Sequence, residues 1–406
     1  MPIKKILYIA NLRLPTEKAY GIQIAKMCEA FASLKFKVSA EGGSAPGGES
    51  EKLKVGNQDS KLEKNIDLEL VVPYRKNHIK DDLFTYYSIK KNFKLKRIWI
   101  SDLSFSGSSN KATVFVKNVI SAIMLAIYAL RHKPDIIYSR DELPLYFLSF
   151  FRGNLVFEAH RFSLKRKFFY NRFKNKGLKL VVISSSLGDM FVKFGFRSTN
   201  ILVAHDGVDM ADFDIPISKE DARKKTGLSN NNRIVMYTGH LFQWKGGDIL
   251  AGVAKLIPDA TFVFIGGMEY DLRNFRQEFG NLSNVRILGH KPHKNIPAFL
   301  KAADVLVLPN SAEDKISSFT SPIKLFEYMA SGRPIVASGL PSISEILNNS
   351  NSLLVRPDNV EELAEGIRHI LAMPDGGAAL TQKASADVKN YTWSKRAESI
   401  LAFIKQ

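Results

Sequence analysis

The chain has 406 residues, 45% of them hydrophobic and 24% charged, which is enough apolar material for two domains with separate cores and excludes a disordered or fibrous polypeptide. A single cysteine, Cys28, rules out a disulfide framework and places the chain in a reducing, cytoplasmic compartment. The net charge of +18 is uneven: residues 1–200 hold 35 Lys and Arg against 17 Asp and Glu, whereas residues 201–406 hold 23 of each, so one basic half is set to meet an anionic surface.

The apolar run after Lys4 and Lys5 is too short for a secretion signal and predicts a first strand over 5–11. A loop ending in Gly21 and a helix over 22–34 follow, the opening of a Rossmann-like unit. Residues 40–65 are linker-like, rich in Gly, Ser and charge, and predict a surface excursion with no catalytic part, natural or engineered. A strand pattern resumes at 66–72. Residues 76–97 mix cations with Phe84, Tyr86, Tyr87 and Phe93. Next come a long helix over 116–130, a strand over 135–139 ending in Arg140, a helix over 143–151 and a strand over 154–157 ending in His160. Ligands of doubly wound sheets bind beyond the C-terminal ends of strands, so Arg140 and His160 should face a cleft. The longest apolar run, 119–130, is broken by Ser121 and falls short of a membrane span.

From 161 to 179 there are eight Lys or Arg and no acid, interleaved with aromatic rings. Interfacial helices are composed this way, which makes Lys165, Arg166, Lys167, Phe168, Phe169 and Arg172 candidate membrane or acceptor contacts. The same mixture suits single-stranded nucleic acid, or a solvated helix whose rings face a core. A strand over 180–184 and a helix over 185–194 close a first domain, 1–200. A second domain, 201–384, repeats strand and helix, with strands at 234–237, 262–265, 285–288, 304–308, 335–337 and 353–355. Such alternation predicts a parallel sheet wrapped by helices. Gly266 and Gly267 end one of these strands and let backbone approach a ligand. Asp212-Phe213-Asp214 has the form of a metal-binding pair but sits in an acidic linker before Pro216, and reads as incidental.

The most informative stretch is Thr320-Ser321-Pro322-Ile323-Lys324-Leu325-Phe326-Glu327, closed by Gly332. Ser321 as N-cap, Pro322 at the first helical position and Gly332 as a left-handed stop define one short helix. Free N–H groups at Ile323 and Lys324, the helix dipole and the Lys324 charge make an anion site. Glu327 lies one turn deeper, where a carboxylate accepts from two neighbouring hydroxyls. A diphosphate at the helix mouth with a ribose beside Glu327 is the expected arrangement.

These residues resemble the donor site of retaining glycosyltransferases of family four, also called group 1. The resemblance implies a GT-B fold, two Rossmann-like parallel-sheet α/β domains facing across a cleft, with residues 385–406 returning to the first domain. It also implies that Gly21 admits donor or acceptor to the backbone, that Lys245 and the turn at Gly239 and His240 hold the diphosphate, that Ile287 lies against the base, and that His160 approaches the donor sugar. Where the family carries a sugar-contacting Glu, this chain has Phe319, and His240 replaces an Arg; sugar contact then falls to backbone amides and to Thr320 or Ser321.

The implied function is metal-independent, retaining transfer of a hexosyl-type sugar from a nucleoside diphosphate sugar, with Lys245, Lys324 and His160 at the reacting centre and no cofactor besides that co-substrate. The expected acceptor is lipid-linked or polysaccharide, at an anionic membrane surface, with the protein peripheral on the inner face of the plasma membrane. No nucleic acid partner is expected. A nucleotide-sugar epimerase of the same fold, a nucleic-acid-binding protein using the basic half, and a noncatalytic donor binder are the alternatives.

Overall fold

The computed structural model describes residues 3–38, 62–99, 111–314, 317 and 319–406. The expected excursion lies outside the described residues as far as residue 61. Its last part is not linker: Leu62–Asn65 (β3) pairs antiparallel with Lys35–Val38 (β2), Val38 opposite Leu62. Residues 38 and 62 are therefore neighbours, and whatever joins them begins and ends at one point.

The first sheet contains Lys5–Ile9 (β1), Asp67–Pro73 (β4), Lys94–Ile98 (β5), Ile136–Ser139 (β6), Leu155–Ala159 (β7), Lys179–Val182 (β8) and Ile201–Val203 (β9). All run parallel, in the order β5-β4-β1-β6-β7-β8-β9. The first domain thus takes one more strand, beyond the expected boundary at 200. The second sheet contains Arg233–Thr238 (β10), Ala260–Ile265 (β11), Val285–Gly289 (β12), Val305–Leu308 (β13), Ile335–Ser338 (β14) and Leu353–Val355 (β15), in the order β12-β11-β10-β13-β14-β15 and again all parallel. Helices cover both faces of each sheet, so central strands are apolar throughout: every residue of β6, β13 and β14 is buried. Burying each Val or Leu of β13 stabilises the second domain by about 2 kcal/mol. At the edge, β5 carries Lys94, Lys96 and Arg97, charges that discourage pairing with another chain.

Each sheet reverses direction of strand order beside its first strand, between β1 and β6 and between β10 and β13. The crevices at these two switch points face each other. The domains are tied together beside this cleft. Lys26 Nζ, on the helix Ala19–Ser33, reaches Asp212 at 3.1 Å and Asp209 at 3.4 Å, which gives the Asp212-Phe213-Asp214 motif a structural use. Glu345 accepts from the backbone N–H groups of Ser185 and Ser186, capping a first-domain helix from the second domain. The helix Ala378–Asp387 stays with the second domain, whose core holds Ala384 and Val388; the chain crosses after that, and Trp393–Lys405 buries Trp393, Ala397, Ile400 and Leu401 in the first.

The helix predicted over 116–130 is longer, Lys111–His132. Contrary to the sequence reading, its stretch Thr113–His132 is long and apolar enough to cross a membrane, with 28% of an 18-residue window buried. Ala122, Leu125, Ala126 and Ala129 face the first-domain core, while Val114, Phe115, Val116, Ile123, Met124 and Ile127 are exposed.

Candidate active site

Between the domains lies a cavity of about 340 Å³, within the roughly 300–1,000 Å³ typical of small-molecule sites. Its walls come from strand C-termini: Arg140 after β6, His160 after β7, Thr238 to His240 after β10, Gly266 and Gly267 after β11, and His290 and His293 after β12. The helix Ile323–Ala330 points its first turn into it.

That helix starts one residue later than expected. Pro322 is its N-cap, with φ −76° and ψ 121°, and no side chain caps it. Ser321 cannot cap because its Oγ accepts the Asp206 N–H at 3.1 Å, joining the helix mouth to the interdomain turn. Gly332 at φ 69° is the left-handed stop that the sequence indicates. Leu325, Phe326, Tyr328 and Met329 pack into the second-domain core, and the Tyr328 hydroxyl accepts the Thr238 N–H at 2.8 Å, fixing the end of β10 against the helix. The first N–H groups of the helix have no partner within it and face the cavity.

Lys324 is buried at 7% exposure. Its Nζ makes no hydrogen bond and sits 3.8 Å from the centre of the Tyr237 ring. Burial, and then the charge of Lys245, push its pKa well below the ordinary lysine value. Burial lowers Lys245 to about 8. Two crowded cations, offset in part by the charge of Glu327 one turn on, are poised for an anion. Glu327 Oε1 meets His293 Nε2 at 2.6 Å, a partner that the sequence reading missed because the two are 34 residues apart. His290 and His293, not Ile287, line the cavity near this carboxylate; Ile287 is part of β12 and packs on the second-domain core. Thr320 Oγ1 and His240 Nδ1, both lining the cavity, are buried without hydrogen bonds. Burial and the neighbouring Lys245 lower His240 to about 4, so it is neutral and adds no third charge.

Glycine is required where loops meet. A Cβ on Gly266, at φ +113°, would lie 2.3 Å from Gly239 O, and one on Gly246 would lie 1.6 Å from Pro309 O. Gly21 is different from the expectation. The space where its Cβ would be is filled by the Tyr87 hydroxyl at 2.0 Å, which also bonds Thr16, so this glycine serves packing and does not open the backbone to a ligand.

On the opposite wall His160 Nε2 lies 2.6 Å from Glu158 Oε1. Glu158 is fully buried and also receives Gln23 at 2.7 Å, Tyr138 at 2.5 Å and Arg396, from the returning helix, at 2.9 Å. Burial alone would raise its pKa; Arg396, His160 and Arg140 hold it well below the carboxylate range. Burial and Arg140 lower His160 to about 4, leaving a neutral ring at the cavity. Phe319 turns away, into the first-domain core, and its carbonyl accepts from Ser184 Oγ at 3.0 Å.

The basic stretch divides. Lys165, Lys167 and Phe168 are exposed, on the turn Leu164–Arg166 and the helix Lys167–Asn175. Arg166 is paired with Glu142 at 2.5 Å, Arg172 bonds Ser149 and covers the Phe150 ring at 3.9 Å, and Phe169 packs on the core. These three are engaged internally and are not free for an acceptor. Phe150, Phe151, Leu164 and Phe168 are exposed, and packing gathers Phe150 and Phe168 about one ring, which the sequence did not reveal. That ring is Tyr146, with Phe150 at 5.3 Å and Phe168 at 4.9 Å.

Two facing parallel-sheet domains with the cleft between them define the GT-B class of fold. Anabaena HepE, solved with UDP and glucose, superimposes with a TM-score of 0.70 over 100% of both chains at 16% identity. Sucrose-phosphate synthase from Thermosynechococcus elongatus gives 0.72 over 99% of this chain and 98% of its own, also at 16%. Residues 218–387 match the family model described as glycosyl transferases group 1. A D-inositol 3-phosphate glycosyltransferase of Mycobacteroides abscessus is 26% identical over 235 residues, 55% of this chain and 51% of that protein; the chain thus spans about half the length of the curated relatives it matches.

Proposed function

We propose that the protein transfers a sugar from a nucleoside diphosphate sugar, with retention at the anomeric carbon, to an acceptor held at an anionic membrane surface or on a growing polysaccharide. The observation that carries this reading is the buried, unpartnered Lys324 beside Lys245 at a helix start, one turn from Glu327. The diphosphate takes the cations, and Glu327, steadied by His293, accepts from the ribose hydroxyls. That HepE was solved with UDP and glucose in the same fold supports the assignment.

In the reaction the bond from the anomeric carbon to the phosphate oxygen breaks. The bond to the acceptor oxygen forms on the same face, and the acceptor proton passes to the departing phosphate oxygen. Negative charge grows on the diphosphate as it leaves, and Lys324, Lys245 and the helix N–H groups, already oriented, stabilise it. Neutral His160, whose Nε2–H is given to ionised Glu158, borders the sugar and offers Nδ1 as an acceptor there. Metal-independence and a hexosyl donor complete the proposal. For the acceptor, the support is the exposure of Phe150, Phe151, Leu164 and Phe168 on the first domain, with exposed Lys165 and Lys167 next to Leu164 and Phe168 in the chain.

A thermal-shift screen of nucleoside diphosphates and their sugars tests the donor, and the anomeric configuration of the product by NMR tests retention. No stabilisation by any nucleotide, or an inverted product, would sink the respective half.

A further inference from the structure

Three acids line the cavity: Glu17, Asp206 and Glu327. Glu17 is engaged by Arg13 and His78, and Glu327 by His293. Asp206 differs. It is 4% exposed; Gln23 hydrogen-bonds to the carboxyl group, but among the described residues Oδ1 itself has no hydrogen-bond partner. A buried carboxylate oxygen left open costs free energy that an ordinary structural aspartate avoids, and such a group marks the place of a ligand donor.

Its position narrows what that donor is. Asp206 belongs to the turn joining the domains, and its N–H is bonded to Ser321, just ahead of the helix mouth. Asp206 and Thr320, whose hydroxyl is likewise buried and unpartnered, thus line the cavity beside the helix mouth, where the proposed function puts the phosphate nearer the sugar. A group covalently attached to that phosphate is the first thing to reach them. Arg140 and His160 bound the same space from the first domain, and Gln23 and Glu158 fill behind them. Burial, with the charge of Glu158 adding to it, raises the pKa of this carboxyl to about 6, against the positive charge of Arg396 and Arg140.

We infer that Asp206 is the carboxylate that recognises the transferred sugar, accepting hydrogen bonds from its hydroxyls, with Thr320 as the second polar contact. The donor is accordingly a sugar carrying free hydroxyls on the face turned to the interdomain turn, and a donor deoxygenated there is discriminated against. This inference rests on the nucleotide-sugar reading above and assigns the part of the ligand beyond the diphosphate.

The test measures binding by titration calorimetry for UDP with UDP-glucose, GDP with GDP-mannose, and ADP with ADP-glucose, to the full chain and to Asp206→Ala and Asp206→Asn. Expected is a loss in Asp206→Ala of roughly ten- to a hundredfold in affinity for the nucleotide sugar, from hydrogen bonds to a charged group, with less than about threefold change for the matching diphosphate. Asp206→Asn, which keeps one acceptor oxygen, recovers part of it. Thermal unfolding of both variants checks that they remain folded. An equal loss for diphosphate and nucleotide sugar would make Asp206 a support for Ser321 and overturn the inference, as would no loss at all. If the unaltered protein binds the diphosphates but gains nothing from any sugar, the sugar assignment fails alone; if it binds none of the six, the donor reading fails and takes this inference with it.

Discussion

Replacing Lys324 by Met should make the empty protein more stable and the donor site worse. Met keeps the length of the side chain but removes an ammonium that is 7% exposed and unbonded, with Lys245 as a like-charged neighbour. Holding such a charge in the interior costs several kcal/mol, offset in part by the Tyr237 face at 3.8 Å, about 2 kcal/mol, and by the charge of Glu327. The balance favours Met by about 1–2 kcal/mol, or about 2–8 °C in the melting of a domain this size. Diphosphate affinity should fall, since hydrogen bonds to a charged group contribute about 1.5–3 kcal/mol, roughly ten- to 150-fold. The pH dependence has a definite sign. With Lys245 titrating at about 8 in the folded chain against an ordinary 10.5, and Lys324 also lowered, the unfolded chain binds more protons over that window. Stability of the unaltered protein therefore rises from pH 8 towards 10.5, and the advantage of Lys324→Met is larger at low pH and falls as the pH rises towards the ordinary lysine value. Calorimetric melting at pH 7 and 9.5, with and without nucleoside diphosphate, reads all of this. A variant that melts lower when empty and binds diphosphate as before would refute the anion-site argument.

Gly266→Ala places a Cβ 2.3 Å from Gly239 O at a φ of +113°, so it should lower the melting temperature and abolish nucleotide binding, by thermal shift. Glu158→Gln leaves Arg396 buried opposite a neutral group and should cost about 3–5 kcal/mol in urea unfolding followed by first-domain fluorescence. The double variant Phe151→Asp with Phe168→Asp should sediment less with anionic vesicles while its melting is unchanged; sedimentation equal to the unaltered chain, or equal binding to neutral vesicles, would remove the membrane argument.

What the sequence made legible is what depends on neighbours along the chain. Runs such as Val305-Leu306-Val307-Leu308 announce strands buried on both faces, and the spacing from Lys324 to Glu327 announces an anion site with a carboxylate one turn on. The start of that helix was misjudged because Ser321 has two possible uses, and the tertiary one, with Asp206, prevailed over capping. Gly21 was misjudged for a similar reason: only the fold brings Tyr87 to it. Partners across long separations, such as His293 with Glu327 or Arg396 with Glu158, carry no local pattern at all. The cationic run from 161 to 179 looked uniform, whereas packing enlists Arg166 and Arg172 and leaves Lys165 and Lys167 outside.

Arg396 lies 238 residues after the carboxylate it meets, and it also donates to the carbonyls of Ala204 and His205. On the ribosome, the first half of the chain therefore emerges with Glu158 held by Gln23, Tyr138 and His160 but without the Arg396 guanidinium until the closing helix arrives. Completing the cleft wall at His160 thus waits for the helix Trp393–Lys405, and a polypeptide that stops short of it lacks the Arg396 contact.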